Sequence, residues 1–438
     1  MKSDARLLAY KIINQFNSDK KLELIFDDIF FTCKPDARSR SRTQVLVKEV
    51  IRLKGRLDLM IEYVSGKKLK QIQRPIISIL RIGFYEIIID DSIPDYAAVN
   101  SAVNLTNKIL NHKAAGFTNV ILRKLTYKKN NEKGWINNLR NNPDWNSIPL
   151  WIQNRWKESL GEYNQKKMIE SINMNPANFI RVQEGVRSIK EIKKILLEDG
   201  IESEIFSELF LKISCGTGKI LKTNLFNSGE ISIQNPASAA IVECLDIKNG
   251  DTVLDVCAAP GTKSLYLSSL VGITGTILAS DINEERVEIG KDDIKRHRKS
   301  NIKWMVKDAS KDDFPNTNRI LIDAPCTGTG VIGRKPDIRW RRKISDIYEM
   351  SKKQFEILSH CSKFLNPNGI IVYATCSIEP EENWNVVEQF IKLNPQFFVD
   401  KINSKVPSSW IDNKGALCTL PYLHNVDGMF AVKIKRSL

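Results

Sequence analysis

The chain has 438 residues, too many for one ordinary domain and enough for two or three at roughly 150 residues each. Its 66 Lys and Arg outweigh 51 Asp and Glu, a net charge of +15, and 26 of those basic residues against 15 acidic ones fall in positions 1–150. A surplus gathered at the front suits a polyanionic partner such as nucleic acid better than a uniformly solvated surface. Eight cysteines without a C-x-x-C pair exclude a disulfide framework and a zinc site of the usual spacing, so no metal and a reducing, cytoplasmic compartment are expected. Asp4 and Arg6 interrupt the first apolar stretch, so a signal peptide is not expected, and no run of about 18 apolar residues is present to cross a membrane.

From residue 4 to about 128 apolar residues recur at helical spacing, as in ARLLAYKIINQF, RTQVLVKEVIRLKG and IISILRIGFYEIII. They predict an all-helical domain over 1–140. Arg38, Arg40, Arg42, Lys48, Arg52, Lys54 and Arg56 interleave with these apolar positions, and read equally as a solvated face or as an RNA-binding one. The Asn- and Lys-rich stretch KKNNEKGWINNLRNNPDW, 128–145, reads as a linker. A small α+β module follows over 146–225: helix SLGEYNQKKMIESIN, strand ANFIRVQ, helix SIKEIKKILLEDG, strand SELFLKIS.

Over 226–438 the rhythm becomes strand, turn, helix, repeated: DTVLDVCAA, GTILASDI, IKWMVKD, RILIDAPC and GIIVYATC, with helices of 10 to 20 residues between most of them. This pattern predicts a mostly parallel, doubly wound, Rossmann-like α/β sheet. Ligands of such sheets bind beyond the carboxyl ends of the strands.

The first of these strands runs into Cys257, Ala258, Ala259, Pro260, Gly261, Thr262 and Lys263, and then a helix. Small residues let backbone approach a ligand there, but a pyrophosphate would call for G-x-G-x-x-G, and this loop has one glycine. The ligand is therefore expected to carry no phosphate. Asp281, twenty residues past Gly261, ends the next strand, where a carboxylate accepts ribose hydroxyls. Asp308, at the end of the third, is within reach of an adenine amino group. A ribose and an adenine without phosphate describe S-adenosyl-L-methionine. The competing expectation is that Asp281 and Asp308 are solvated strand ends or helix N-caps.

The fourth strand ends at Asp323, with Cys326 and the turn TGTG beyond it, and the fifth ends at Cys376. One buried cysteine reads as packing; two at matched strand ends, beside a methyl donor, suggest chemistry. Carbon 5 of cytosine is a poor nucleophile until a thiolate adds at carbon 6. A second thiol can then take the carbon 5 proton, while Asp323 holds the N3 and amine edge of the ring. A free thiol ionises near roughly pH 8.5, so Cys376 needs help from a neighbour, and Lys263 is the candidate.

CAAPGTKS, Asp281, Asp308, IDAPCTGTG with KPDIRW, YATCSIEPEEN and DGMFAVKIKR together resemble the RNA cytosine-5 methyltransferases of the bacterial rRNA and nucleolar type. The N-terminal stretches RSRTQVLVKEVIRLKG and VNSAVNLTNKILNHKAAGFTNVILRKL are similar to the NusB-type RNA-binding helical domain. The resemblance implies methylation of carbon 5 of a cytidine in small-subunit (16S) rRNA. It implies Cys376 as nucleophile and Cys326 as the residue promoting product release, with 257–263, Asp281, Asp308 and Asp323 at the cofactor. Three positions depart from the pattern: P-G-T-K-S stands where P-G-G-K-T is common, Thr327 where serine is usual, and Gly333 where a second arginine is common, which is expected to weaken one RNA contact. A non-catalytic RNA-binding assembly factor, or a transfer RNA substrate, is the alternative. His112, His297, His360 and His424 show no ligand spacing and are expected to be structural; oligomeric state is not specified, with a monomer as the default.

Overall fold

The computed structural model describes residues 4–17, 19–402 and 405–437. The chain forms two compact units, one running to Met174 and including Ile332–Arg342, the other comprising Asn175–Val331 and the chain from Lys343.

The first unit is built on α1 (Ala5–Gln15), α2 (Leu22–Cys33), α3 (Ala37–Arg52), α4 (Lys54–Ser65), α5 (Arg74–Ile88), α6 (Asp95–Ile109), α7 (His112–Asn131) and α8 (Leu150–Asn173). Asp4, Asp36 and Asn111 cap α1, α3 and α7 by accepting from N–H groups of the first turn, which meets donors that a helix start leaves unpaired. The apolar stripes converge on Leu8, Ile12, Leu46, Val50, Ile61, Ile79, Phe84 and Leu122. Inside this unit Glu86, 1% exposed, accepts from Arg6 and from Arg42, which also reaches Asp90.

Most of the basic cluster is thereby structural. Arg52 is buried, pairs with Glu49 and donates to the Gly333 carbonyl at 2.8 Å; Lys54 lies over the Trp340 ring and Arg56 donates to Trp145 O. Arg38, Arg40 and Lys48 stay exposed. The stretch expected as a linker is folded: α7 continues to Asn131, 3₁₀ turns occupy Asn137–Asn141 and Pro143–Asn146, and Trp135 is buried against Tyr63. Its polar composition hid two tryptophans, which take it into the core edge.

Residues 332–342, expected with the parallel sheet, pack within the helical unit. Arg339 is fully buried and donates to Arg52 O (3.0 Å), Ser147 O (3.0 Å), Ile172 O (2.9 Å) and Asn173 Oδ1 (2.6 Å). Arg52, Ile172 and Asn173 lie in the last turns of α3 and α8, where carbonyls lack intrahelical partners and the helix dipole favours a cation. One guanidinium meets both needs, and burial lowers its pKa only to about 9.

The second unit contains two sheets. The smaller has β1 (Asn178–Val182), β2 (Ser203–Ile205), β3 (Phe210–Ile213) and β4 (Ile231–Ile233) in the order β2-β3-β1-β4, all antiparallel. The helix Ile189–Glu198 covers it through Ile192 and Leu196. β2 and β4, three residues each, are too short to register as periodic sequence.

The larger sheet runs β10-β12-β9-β8-β5-β6-β7, with β11 on β12: β5 (Thr252–Val256), β6 (Thr276–Asp281), β7 (Ile302–Val306), β8 (Thr317–Asp323), β9 (Leu365–Thr375), β10 (Phe397–Val399), β11 (Leu417–Thr419) and β12 (Met429–Arg436). β5 to β9 are parallel, and β12 pairs antiparallel with β9. Side chains alternate between faces: Leu254, Ile320, Ile322 and Ile371 serve one core, Val253, Leu321, Val372 and Ala374 the other. The chain moves outward from β5 to β7 and then returns to β8, so the strand order reverses beside β5. Crevices of this kind bind ligands. Among the described residues no helix is long and apolar enough to cross a membrane.

Candidate active site

The loop after β5 is shaped by backbone need. Ala258 N–H donates to Ser280 O at 2.8 Å and Ala259 N–H to Asp281 Oδ2 at 3.1 Å, which draws the loop against the end of β6. Gly261 has φ 101°, and a Cβ there would sit 2.7 Å from Cζ2 of Trp304. Both the left-handed backbone and the tryptophan therefore demand glycine. Pro260 precedes it and Thr262 begins the helix Thr262–Leu270. Cys257, also at positive φ, is held as a neutral thiol by burial.

Asp281 is 3% exposed; its two oxygens accept from Ala259 N and from Asn283 N (3.0 Å), and Arg286 Nη1 lies 3.4 Å away. It is not the N-cap of the following helix, since Asn283 takes that role by accepting from Arg286 N. Asp308 lies two residues beyond β7 rather than at its end. Its Oδ1 accepts from Ser310 Oγ (2.6 Å) and Ser310 N (2.9 Å), bonds that hold its carboxyl below the usual range.

Sequence reasoning passed over Asp255, in the middle of β5. It is fully buried, accepts from Ser264 Oγ at 2.6 Å on one oxygen, and its other oxygen has no partner among the described residues. Burial pushes its pKa up to about 7. An acid inside an otherwise apolar strand was the available signal. Lys263 Nζ and Asp323 Oδ2 pair at 2.7 Å. Burial disfavours the Lys263 ammonium, but Asp323, Asp255 and the Cys376 sulfur together outweigh it and its pKa ends raised. Four acidic side chains, one of them with an orphaned buried oxygen, and a glycine-tight loop fit a cationic ligand without phosphate.

β8 and β9 are adjacent and parallel, and their ladder continues through Ala324 N to Ala374 O at 2.9 Å. Just past it the Cys326 and Cys376 sulfurs stand 3.2 Å apart. The hydrogen bond with Cys376, then burial, raises the Cys326 pKa well above the ordinary thiol value. Either thiol can be the donor in this contact. Gly330 N donates to Cys376 O (3.0 Å) and Gly428 N to Gly330 O (2.9 Å); a Cβ on Gly330 would lie 2.2 Å from Gly428 O. The glycines of TGTG and DGMF are there for this close pass. Glu382, Gln354, Thr329 and Ser377, none anticipated from sequence, link the two cysteine loops. His297 lies between Gln183 Nε2 and Ser232 Oγ, both at 3.1 Å, and burial lowers its pKa to about 4, a neutral structural histidine.

The family described as 16S rRNA methyltransferase RsmB/F matches residues 242–435, and the NusB family matches 3–127. The probable ribosomal RNA small subunit methyltransferase B of Bacillus subtilis (strain 168) is 30% identical over 411 residues, covering 91% of this chain and 91% of that protein. The chain belongs to the ribosomal RNA small subunit methyltransferase B family. The protein of that name from Pasteurella multocida (strain Pm70) is 29% identical over 422 residues, covering 92% and 91%. Among solved structures, the protein PH0851 is 26% identical with a TM-score of 0.79 over the whole of both chains. Family membership makes the N-terminal helices a NusB-like domain and the large sheet a Rossmann-like methyltransferase fold of the S-adenosylmethionine-dependent class.

Proposed function

We propose that the protein methylates carbon 5 of a cytidine in 16S rRNA through a covalent adduct between Cys376 and carbon 6, acting in the cytoplasm as a monomer. The observation that carries this reading is the pair of sulfurs 3.2 Å apart just past the ends of adjacent strands, with Asp323 at the end of β8 paired to Lys263 in the first turn of the helix after β5. S-adenosyl-L-methionine, when bound, supplies an electrophilic methyl group. The loop Cys257–Lys263, Asp281, Asp308 and Asp323 would hold it, joined by Asp255, whose unpartnered oxygen offers the methionine ammonium an acceptor.

Cys376 acts as the thiolate. Cys326 stabilises that charge by donating its S–H, and Lys263 adds a positive charge. Addition at carbon 6 forms the S–C bond and moves the ring electrons to carbon 5. Asp323, oriented by Lys263, takes the N3 and amine edge of the base. With Cys376 bound to carbon 6, Cys326 gives up its own proton to solvent; after methyl transfer the Cys326 thiolate removes the carbon 5 proton, that C–H electron pair forms the carbon 5–carbon 6 double bond, the carbon 6–sulfur bond breaks, and Cys376 leaves as thiolate. An attack at carbon 6 needs an unstacked base, so the cytidine is presented from a loop or flipped. The NusB-like helical domain and the smaller sheet grip the surrounding RNA, with Arg38, Arg40 and Lys48 as exposed cations.

The test uses labelled S-adenosyl-L-methionine, RNA from cells lacking the protein, and nucleoside mass spectrometry. Label is expected as 5-methylcytidine in small-subunit rRNA. Cys376→Ala should lose turnover while still binding cofactor, and Cys326→Ala should accumulate a protein–RNA adduct on denaturing gels. Full activity of Cys376→Ala, or RNA binding without any methylated cytidine, would replace this reading with that of an assembly factor.

A further inference from the structure

Glu382 has a buried carboxyl group that pairs with no cation among the described residues. It is 0% exposed at the end of the 3₁₀ turn Pro380–Glu382, and the donors it meets are neutral. Oε1 accepts from Thr327 N (2.8 Å) and Gln354 Nε2 (3.0 Å); Oε2 accepts from Ser377 Oγ (2.5 Å) and from the Thr327 hydroxyl. Thr327 follows Cys326 directly and Ser377 follows Cys376. Gln354 Nε2 also donates to Pro325 O at 2.9 Å, the residue before Cys326. The turn itself is fixed to β9, because Tyr373 OH donates to Glu382 O at 2.5 Å and Asn383 bonds both Thr375 Oγ1 (2.6 Å) and Ser377 O (3.0 Å).

Burying an unpaired carboxylate is unfavourable, and an apolar side chain would fill the same volume without that penalty. Four converging donors offset it in part, and every one of them comes from a residue adjoining a cysteine or from the helix that holds one in place. The sulfurs sit on loops beyond the parallel ladder, where sheet hydrogen bonding no longer sets their separation. Catalytic groups need placement within about half an ångström, held by locked supporting residues.

We propose that Glu382 is a positioning residue of the methyl-transfer site, whose carboxylate ties Thr327 to Ser377 and so sets the Cys326–Cys376 contact. The inference rests on the two-cysteine reading above. Glu382→Gln keeps the shape but turns one acceptor into a donor facing Thr327 or Ser377; the double variant Thr327→Val with Ser377→Ala removes the two hydroxyl bonds to Oε2 from the other side.

In the full-length protein, oxidation by diamide followed by peptide mass spectrometry reads how fast the two thiols join, with no RNA or methyl transfer involved. Steady-state methylation is measured alongside, with cofactor affinity by calorimetry. Glu382→Gln is expected to slow disulfide formation and kcat by about tenfold or more, with KM for cofactor within about twofold of wild type. Glu382→Asp should recover part of both, and the double variant should match Glu382→Gln. Wild-type disulfide and turnover rates in Glu382→Gln, or in the double variant should Glu382→Gln not fold, would overturn the proposal. Slowed disulfide formation alongside a fully active Cys376→Ala would instead retain the clamp and remove the two-cysteine mechanism.

Discussion

Replacing Asp255 with Asn should stabilise the ligand-free protein in alkaline solution far more than in acid. The Asp255 carboxyl is fully buried and rises from 3.8 to about 7. That is about three pKa units, at roughly 1.4 kcal/mol each. Between these two values the native protein keeps a proton that the unfolded chain has lost, so the stability associated with Asp255 is complete below about pH 4 and falls as pH rises through 7. The loss is about 1 kcal/mol at pH 4.5 and about 4 kcal/mol at pH 8. Asn carries no titrating proton, and its carbonyl can still accept from Ser264 Oγ, which donates to Asp255 at 2.6 Å. At roughly 2–4 °C per kcal/mol, Tm at pH 8 should rise by about 10 °C, and at pH 4.5 by only a few degrees. Scanning calorimetry of both proteins at both pH values measures this, and titrating groups remote from Asp255 cancel in the difference between them. A difference independent of pH, or an Asn variant less stable at pH 8, would refute the reasoning. Cofactor affinity should fall in the same variant, because the unpartnered oxygen is the acceptor assigned to the methionine ammonium. An acid that destabilises the empty protein is then explained by what it binds.

Arg339→Met should destabilise the helical unit by about 3–5 kcal/mol, because three buried carbonyls and an amide oxygen lose their donor at about 1–3 kcal/mol each, less what they recover by relaxation; urea unfolding with hydrogen exchange at the ends of α3 and α8 reads it, and a loss below about 1 kcal/mol would contradict the shared-cap account. Gly261→Ala should weaken cofactor binding by about tenfold or more, since it meets both a φ of 101° and Trp304. Gly415→Ala, at φ 93° with open space around it, is the control for strain alone, and equal effects on binding would dismiss the tryptophan contact. Arg38→Ala should leave Tm within about 1 °C while weakening RNA binding and flattening its salt dependence. Arg42→Ala should do the reverse, lowering Tm because Glu86, 1% exposed, loses one of its two arginines; an unchanged Tm there would overturn that assignment.

Apolar period by itself determined the helical first region, the parallel strands β5 to β9 and the helices between them, because which face of an element is buried is written in neighbouring residues. It also brought Lys263, Asp281, Asp323, Cys326 and Cys376 to one edge of a sheet, since parallel strands send their carboxyl ends the same way. Pairing between distant residues left no such trace. Arg42 and Arg38 have the same local surroundings in sequence, and only Glu86 and Asp90, more than forty positions on, make one of them structural. Gly333 to Arg341 adjoin the P-C loop in the chain, but the helix ends that need Arg339 lie in α3 and α8. In EPEEN three acids look alike, and Glu382 becomes the clamp because the loops after β8 and β9 close around it. Local sequence decides what must be buried; the tertiary structure decides which polar groups meet there, because a buried donor or acceptor is satisfied by whichever partner folding brings to it.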